Sequence, residues 1–314
     1  MKKIFIMSMG RTGSTFVCSH FKNYTYNPSC KVYNANEFFR FWPMHFYRNI
    51  QFLKENNLDI PKSFVDFMCG LVKYKKAHGD KQEEHQWVAP HSHFYGQENT
   101  EQKRDDYYLH DGWPYSLNMI DDFCKELKKL NCIDFFIHKH ISRITEMNGD
   151  EWSYLNVMKK ADCILVNYRY SILDVFISLM KAMRSNKWAA KIYDPNYDNK
   201  VEWNKDYFVD YAVNRYKASY NGVREALEKL NKPYFTVRYE DFTNPNTDQR
   251  KYLSEGLLRT GIFGTSEVEQ LLSVKEIKMI KQSKPREFYE DCFSNPEQFK
   301  KDYHEIKHLT TFTY

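Results

Sequence analysis

The stretch "SMGRTGSTFV", residues 8–17, follows the apolar run "IFIM" and combines glycines and hydroxyl side chains with an arginine. Gly10 and Gly13 permit a tight turn between a strand and a helix. The backbone amides of such a turn point at one anion, and the positive end of the helix dipole adds to the attraction. The residues expected to bind this anion are Arg11, Thr12, Gly13, Ser14 and Thr15.

The positive charge of this loop stands in an unusual position. A Walker A loop has the pattern G-x-x-x-x-G-K-[ST], in which the lysine reaches the β- and γ-phosphates of a nucleotide. Here Ser14 follows Gly13 directly, and the positive residue, Arg11, precedes that glycine. The pattern therefore predicts an anion site whose arginine leans toward the group attached beyond the bound phosphate.

Further polar residues end two other predicted strands. Arg169 ends the apolar run "ADCILVNYR", and Ser178 lies nine residues later in the following helical pattern. Lys139 and His140 end the strand-like segment "CIDFFIHKH". Ligands of α/β proteins bind in the crevice at the carboxyl ends of the strands, so these residues are candidates for a binding site. Taken singly, each also suits a surface ion pair or a tolerated polar position.

The polar residues lie on a regular alternation of strands and helices. Strands are predicted at about 3–8, 31–34, 132–140, 161–169 and within 231–242, and helices at 14–21, 61–77, 115–130, 171–185 and 204–230. Such alternation predicts an α/β fold, a P-loop-like three-layer sandwich with a central, mostly parallel sheet flanked by helices. Residues 45–130 are a polar, aromatic and largely helical insertion in one domain that covers residues 1–314.

These segments together resemble the sulfotransferases that use 3′-phosphoadenosine 5′-phosphosulfate (PAPS), and they are most similar to the bacterial trehalose 2-sulfotransferase branch. The resemblance covers about residues 1–45, 133–182 and 233–290. It rests on the segments "GRTGST", "NEFFRFWP", "FFIHKHISR", "NYRYSILDVFISLMKA", "VRYEDF" and "KQSKPREF".

The resemblance implies how the donor is bound. The loop with Arg11 would hold the 5′-phosphosulfate, and Arg169 with Ser178 would bind the separate 3′-phosphate. Arg286 in "KQSKPREF" would meet the phosphates of the donor.

The resemblance also implies catalytic roles. Glu37 in "NEFFRFWP" would be the base, with His140 as the alternative because animal cytosolic members carry a histidine there. Lys139 would bind the sulfuryl oxygens, and Arg11 would stabilise the leaving oxygen. The implied reaction is in-line transfer of a sulfuryl group from PAPS to a hydroxyl of a small-molecule or glycan acceptor. Adenosine 3′,5′-bisphosphate is the expected product, and no metal is required.

The acceptor itself is not predicted. In the family, the region that corresponds to residues 45–130 shapes the acceptor pocket, and here it matches no segment of the family. Other readings also stay open. One is a phosphate-loop kinase with Asp241 as its Mg²⁺ ligand, another is a non-catalytic nucleotide-binding protein, and a third is a zinc site from His85, His91, His93 and a cysteine.

Composition limits the setting. The net charge of +5 suits an enzyme for anionic small molecules, and without a long Lys/Arg run no nucleic-acid partner is expected. The seven cysteines are scattered, which favours reduced thiols, and no apolar stretch reaches the about 20 residues of a membrane span. No signal peptide is recognised before "IFIM", so a cytoplasmic location is expected. A homodimer is compatible with the sequence but not required by it.

Overall fold

A sheet of five parallel strands organises the residues that the computed structural model describes, which are 1–24, 29–35, 43–66, 117–141, 153–185, 200–273 and 288–314. The strands are β1 (Lys2–Ser8), β2 (Val32–Asn34), β3 (Phe135–Ile141), β4 (Cys163–Tyr168) and β5 (Tyr234–Arg238). Their order across the sheet is β2-β3-β1-β4-β5, and every neighbouring pair is parallel. The expected α/β class with a parallel sheet is confirmed.

Helices cover both faces of this sheet. In chain order they are α1 (Ser14–Ser19), α2 (Pro43–Glu55), α3 (Asn118–Lys128), α4 (Tyr154–Lys159), α5 (Ile172–Ser185), α6 (Lys205–Asp210), α7 (Ala218–Leu230), α8 (Tyr239–Phe242), α9 (Gln249–Arg259), α10 (Thr265–Leu271) and α11 (Pro296–Ile306). Side chains alternate across a strand, so Phe5 and Met7 join a core with α2 to α7 and α11. Ile4 and Ile6 join a second core with α1, α9 and α10 on the opposite face.

Two predicted helices differ in their details. Helix α1 ends at Ser19 instead of Phe21, because Phe21 forms an antiparallel bridge with Leu272 and leaves the helical path. The single helix expected over 204–230 is continuous but contains a π-helix, Tyr211–Lys217, between α6 and α7.

The borders of the predicted insertion belong to the main core. Leu53, Phe64 and Phe123 are fully buried and pack in the same cluster as Phe5 of β1. Residues 67–116, which form most of the predicted insertion, lie outside the described residues. A single domain over residues 1–314 therefore stays a prediction.

The cysteines and the helices can be compared with the expectations of reduced thiols and of no membrane-spanning stretch. The cysteines that the structure describes, Cys18, Cys30, Cys124, Cys132, Cys163 and Cys292, are free thiols. None of the described helices combines the length and the apolar character that crossing a bilayer requires.

Candidate functional site

The candidate site lies where the connections of the sheet change direction. β1 pairs with β3 on one side and with β4 on the other, and Ser8 is in register with both Ile141 and Asn167. The chain leaves β1 toward β2 at one edge of the sheet and leaves β4 toward β5 at the other. Such a reversal opens a crevice outside the carboxyl ends of the strands, and ligands of α/β proteins bind there.

The loop after β1 enters this crevice with an unusual backbone. Arg11 and Gly13 both have positive φ angles, 68° and 80°. A Cβ added to Gly13 would lie 2.6 Å from Cε2 of Tyr239, so the glycine is required by its neighbour as well as by its backbone. Gly10 has no such requirement, because a Cβ added there would meet no atom within 4 Å. The tight turn thus depends on Gly13 and on a strained Arg11, and strained residues of this kind are frequent at functional sites.

Thr12 holds the loop from inside. Its hydroxyl donates to the carbonyl of Met9 at 2.8 Å, and Nδ2 of Asn167 donates to both the carbonyl and the hydroxyl of Thr12 at 3.0 Å. Thr12 and Asn167 are fully buried, and Ser14 is nearly so. The side chain of Thr12 is therefore committed to the loop, and only its backbone amide stays a candidate ligand of an anion.

Arg11 joins the two predicted anion-binding groups. Its Nε donates a hydrogen bond of 3.0 Å to Oγ of Ser178 in α5. These residues are 167 positions apart in the chain, and the parallel sheet brings them together by placing β1 beside β4.

Lys139 approaches the same loop from β3. Its side chain is on the face of the sheet covered by α1, and Nζ donates to Oγ1 of Thr15 at 2.7 Å. Lys139 is 1% exposed. The loop thus gains a buried ammonium group from a neighbouring strand although it has no lysine of its own.

Arg169 lies next to the loop, and its guanidinium makes a ring contact and two long ion pairs. Its guanidinium stacks on Tyr239 at 4.4 Å from the ring centroid. Its nitrogens lie 3.5 Å from carboxylate oxygens of Asp174 and Glu240, which is longer than a hydrogen bond. Nε of Arg169 is buried and has no hydrogen-bond partner in the described part of the chain. A buried donor without a partner can donate a hydrogen bond to an oxyanion without first breaking another hydrogen bond.

His140 lies on the other face of β3 from Lys139. It is fully buried beside His138, with 5.8 Å between the ring centroids. Burial and the neighbouring His138 lower the pKa of His140 well below the ordinary value of a histidine. The imidazole is therefore neutral near pH 7, but its lowered pKa makes it a weak base, and a substrate hydroxyl must reach a buried position to use it.

Several residues that shape the candidate site were not predicted from the sequence. Tyr239 covers Gly13 and stacks on Arg169, Asn167 holds Thr12, and the hydroxyls of Tyr216 and Tyr220 contact backbone groups at the ends of β4 and β1. The only sequence signal was a polar or aromatic residue where an apolar one would suffice: Asn167 inside a buried strand, and two tyrosines one turn apart on a helix.

Other predicted residues cannot be placed. Glu37, Arg286 and the histidines of the alternative zinc site, His85, His91 and His93, lie outside the described residues. Within the described part of the chain, no group of three His, Cys, Asp or Glu side chains is arranged to hold a metal ion.

Comparison with known proteins adds no family to this geometry. No protein-family model matches the chain, and no curated protein matches it either. The assignment of the site therefore depends on the residues themselves.

We expect Gly13→Ala to damage the loop because the new Cβ would have to coexist with a positive φ and with the ring of Tyr239. The free energy of unfolding in urea should fall by about 1–3 kcal/mol. Gly10→Ala is the matched control, since its Cβ meets no atom within 4 Å, and it should have a much smaller effect. Equal losses in the two variants would contradict the special role of Gly13.

The buried His140 predicts a loss of stability in mild acid. Above pH about 6.5 the histidine is neutral in the folded and in the unfolded protein. Below that pH, His140 becomes protonated in the unfolded chain but stays neutral in the folded protein. The free energy of unfolding should fall with pH by up to about 1.4 kcal/mol per unit from this group, until the folded pKa is reached.

His140→Asn should make this decline shallower. Urea unfolding of both proteins at about pH 7.5 and about pH 5.5 measures the difference. If the difference in the free energy of unfolding between wild type and variant were the same at the two pH values, a buried, neutral His140 would be contradicted.

Proposed function

We propose that this protein is a PAPS-dependent sulfotransferase, a P-loop-like enzyme that moves a sulfuryl group from PAPS to a hydroxyl of a small-molecule or carbohydrate acceptor. The observation that carries the proposal is the hydrogen bond between Arg11 and Ser178. It brings the residue expected at the 5′-phosphosulfate into contact with a residue expected at the 3′-phosphate.

Adjacent anion sites are what a single nucleoside requires. The 3′- and 5′-oxygens of PAPS belong to one ribose and are only a few bonds apart, so two anion sites far apart in space could not serve one molecule. Here Ser178 contacts Arg11, and Arg169 is separated from Gly13 only by the ring of Tyr239. This proximity supports one ligand with two anionic groups over two unrelated anions.

The state of Arg169 fits a phosphate ligand. Its buried Nε has no hydrogen-bond partner in the described residues, and its ion pairs at 3.5 Å are too long to be hydrogen bonds. Asp174 and Glu240 balance the charge of the guanidinium. A phosphate can compete with them because charge-assisted hydrogen bonds of guanidinium to oxyanions are shorter and stronger.

In the proposed reaction, a bond from the acceptor oxygen to sulfur forms as the bond from sulfur to the bridging oxygen of PAPS breaks. The electron pair of the broken bond collects on that bridging oxygen, which leaves as part of adenosine 3′,5′-bisphosphate. Arg11 donates hydrogen bonds to this oxygen, and as an always-protonated group it acts through charge and not through proton transfer. Preorganised donors of this kind lower the barrier by stabilising the charge that develops.

The other side chains position the reactants. Lys139, which donates to Thr15 of the loop, is the proposed ligand of the sulfuryl oxygens and supplies a second positive charge. Glu37 is the proposed base that takes the proton of the acceptor hydroxyl. His140 is the alternative, and its neutral state suits that role.

A phosphate-loop kinase is the main alternative, and Lys139 is the observation that favours it. An ammonium group near Thr15 partly replaces the missing loop lysine. Against it, Asp241, the candidate Mg²⁺ ligand, is hydrogen-bonded to Arg238. The non-catalytic alternative, a protein that binds the nucleotide without transferring the sulfuryl group, differs only in turnover.

PAPS labelled on sulfur tests the proposal directly. The protein is incubated with this donor and panels of carbohydrate, lipid and phenolic alcohols, with and without a chelator of divalent metals. We expect label to move to a hydroxyl of one acceptor class, and the chelator to leave the rate unchanged. Binding of adenosine 3′,5′-bisphosphate without any transfer would favour the non-catalytic protein, and Mg²⁺-dependent turnover of ATP would favour the kinase.

Arg11→Ala should lower kcat by about 10²–10³-fold, the scale of a lost transition-state donor. Adenosine 3′,5′-bisphosphate should bind with less than about a tenfold loss, because its phosphates keep Arg169 and the loop amides. Arg11→Gly is the matched control for the positive φ of this position, and it should behave like Arg11→Ala. Normal turnover in both variants would show that the side chain is not the proposed donor.

A further inference from the structure

Beyond Ser8 and Asn167, β1 and β4 are no longer in register, and their backbones separate to form the crevice. Separated backbones still carry N–H and C=O groups, and buried ones must find partners. At this point they include the amide of Met9, the carbonyl of Asn167, and both groups of Arg169.

Two buried tyrosine hydroxyls satisfy these groups. The hydroxyl of Tyr220 accepts from the amide of Met9 at 3.3 Å and donates to the carbonyl of Asn167 at 2.7 Å. The hydroxyl of Tyr216 accepts from the amide of Arg169 at 2.9 Å and donates to its carbonyl at 2.6 Å. Tyr220 thus bridges the start of the anion loop and the end of β4, and Tyr216 holds the backbone of Arg169.

The π-helix aligns these tyrosines with the sheet. Its wider turn places residues five apart on one face, so Tyr211 and Tyr216 are neighbours along it, with 6.3 Å between ring centroids and the rings tilted by 47°. Tyr220 follows one α-helical turn later at 5.0 Å from Tyr216. All three rings are buried. A regular α-helix would rotate Tyr211 away from this row, and π-turns of this kind are frequent at functional sites.

Phe312, near the end of the chain, packs against both Tyr216 and Tyr220. Phe312 stacks on Tyr220 at 5.4 Å and meets the edge of Tyr216 at 5.8 Å. Its amide donates to the carbonyl of Tyr170, the residue after Arg169. These contacts fix the positions of the two hydroxyls. Burial raises the pKa of both tyrosines above the ordinary value, so the hydroxyls stay protonated and can donate.

We propose that Tyr216 and Tyr220 are positioning residues of the anion site: Tyr220 sets the loop that holds the 5′-group, and Tyr216 sets Arg169 for the 3′-phosphate. The division between the two phosphates rests on the proposed function. The backbone positioning itself does not depend on which nucleotide binds.

Tyrosine-to-phenylalanine variants separate the two roles. Calorimetric titrations compare adenosine 3′,5′-bisphosphate with adenosine 5′-phosphate. Tyr220→Phe should weaken both ligands by about tenfold, because both carry the 5′-phosphate. Tyr216→Phe should weaken the bisphosphate by about tenfold and leave the monophosphate within about twofold.

Tyr33→Phe is the matched control, since Tyr33 is also buried and donates to Asn49 at 2.7 Å, but from β2 at the edge of the sheet. It should change stability without changing either affinity. An equal loss of affinity in all three variants would indicate general destabilisation and overturn the proposal. Unchanged affinities in Tyr216→Phe and Tyr220→Phe, when the wild type prefers the bisphosphate, would overturn it as well.

Amide hydrogen exchange in the ligand-free proteins gives a second measurement that is independent of the nucleotide. Tyr220→Phe should speed exchange in peptides that cover Met9, and Tyr216→Phe in peptides that cover Arg169, while Tyr33→Phe changes neither. A wild type that binds both nucleotides equally would contradict the proposed 3′-phosphate site. Unchanged exchange in both variants would instead contradict the positioning role, whatever the nucleotide result.

Discussion

Ser8 and Asn167 form the last aligned pair between β1 and β4, and after them the two strands move apart. The separation opens a crevice, but it also ends the ladder that satisfied the backbone, and buried backbone groups need other partners. Buried side chains take over this task, with Asn167 and Thr12 inside the loop and the tyrosine hydroxyls behind it. These neutral groups hold the backbone that carries the charged residues at the carboxyl ends of the central strands.

The charges of the site come from segments that are distant in the chain. Arg11 follows β1, Lys139 lies near the end of β3, and Arg169 follows β4, so each arrives at the crevice on a different strand. Arg11 and Lys139 contact hydroxyl groups at hydrogen-bond distance, and Arg169 faces carboxylates at a longer distance. Such contacts keep the cations in place and still permit exchange for the oxygens of an anion. The proposed donor uses this property at both of its anionic ends.

Much of the fold could be predicted because local patterns express it. The apolar runs that became β1, β3 and β4 are short and bounded, and helical periodicity marked α5 and the α6–α7 stretch. The π-helix was not predictable, since its extra residue per turn follows from how Tyr211, Tyr216 and Tyr220 pack against the sheet. The end of α1 was misplaced for a similar reason, because Phe21 pairs with Leu272, more than two hundred residues away in the chain.

For the site, the sequence by itself determined which residues carry charge at strand ends and that Gly13 stands at a turn before a helix. Glycine spacing and strand periodicity are local properties, so they can be read along the chain. Only the tertiary structure decided that Gly10 is unconstrained, that Ser178 contacts Arg11, and that Tyr239 covers Gly13. These facts depend on the order of strands in the sheet, and strand order comes from long-range packing of buried faces that no local pattern contains.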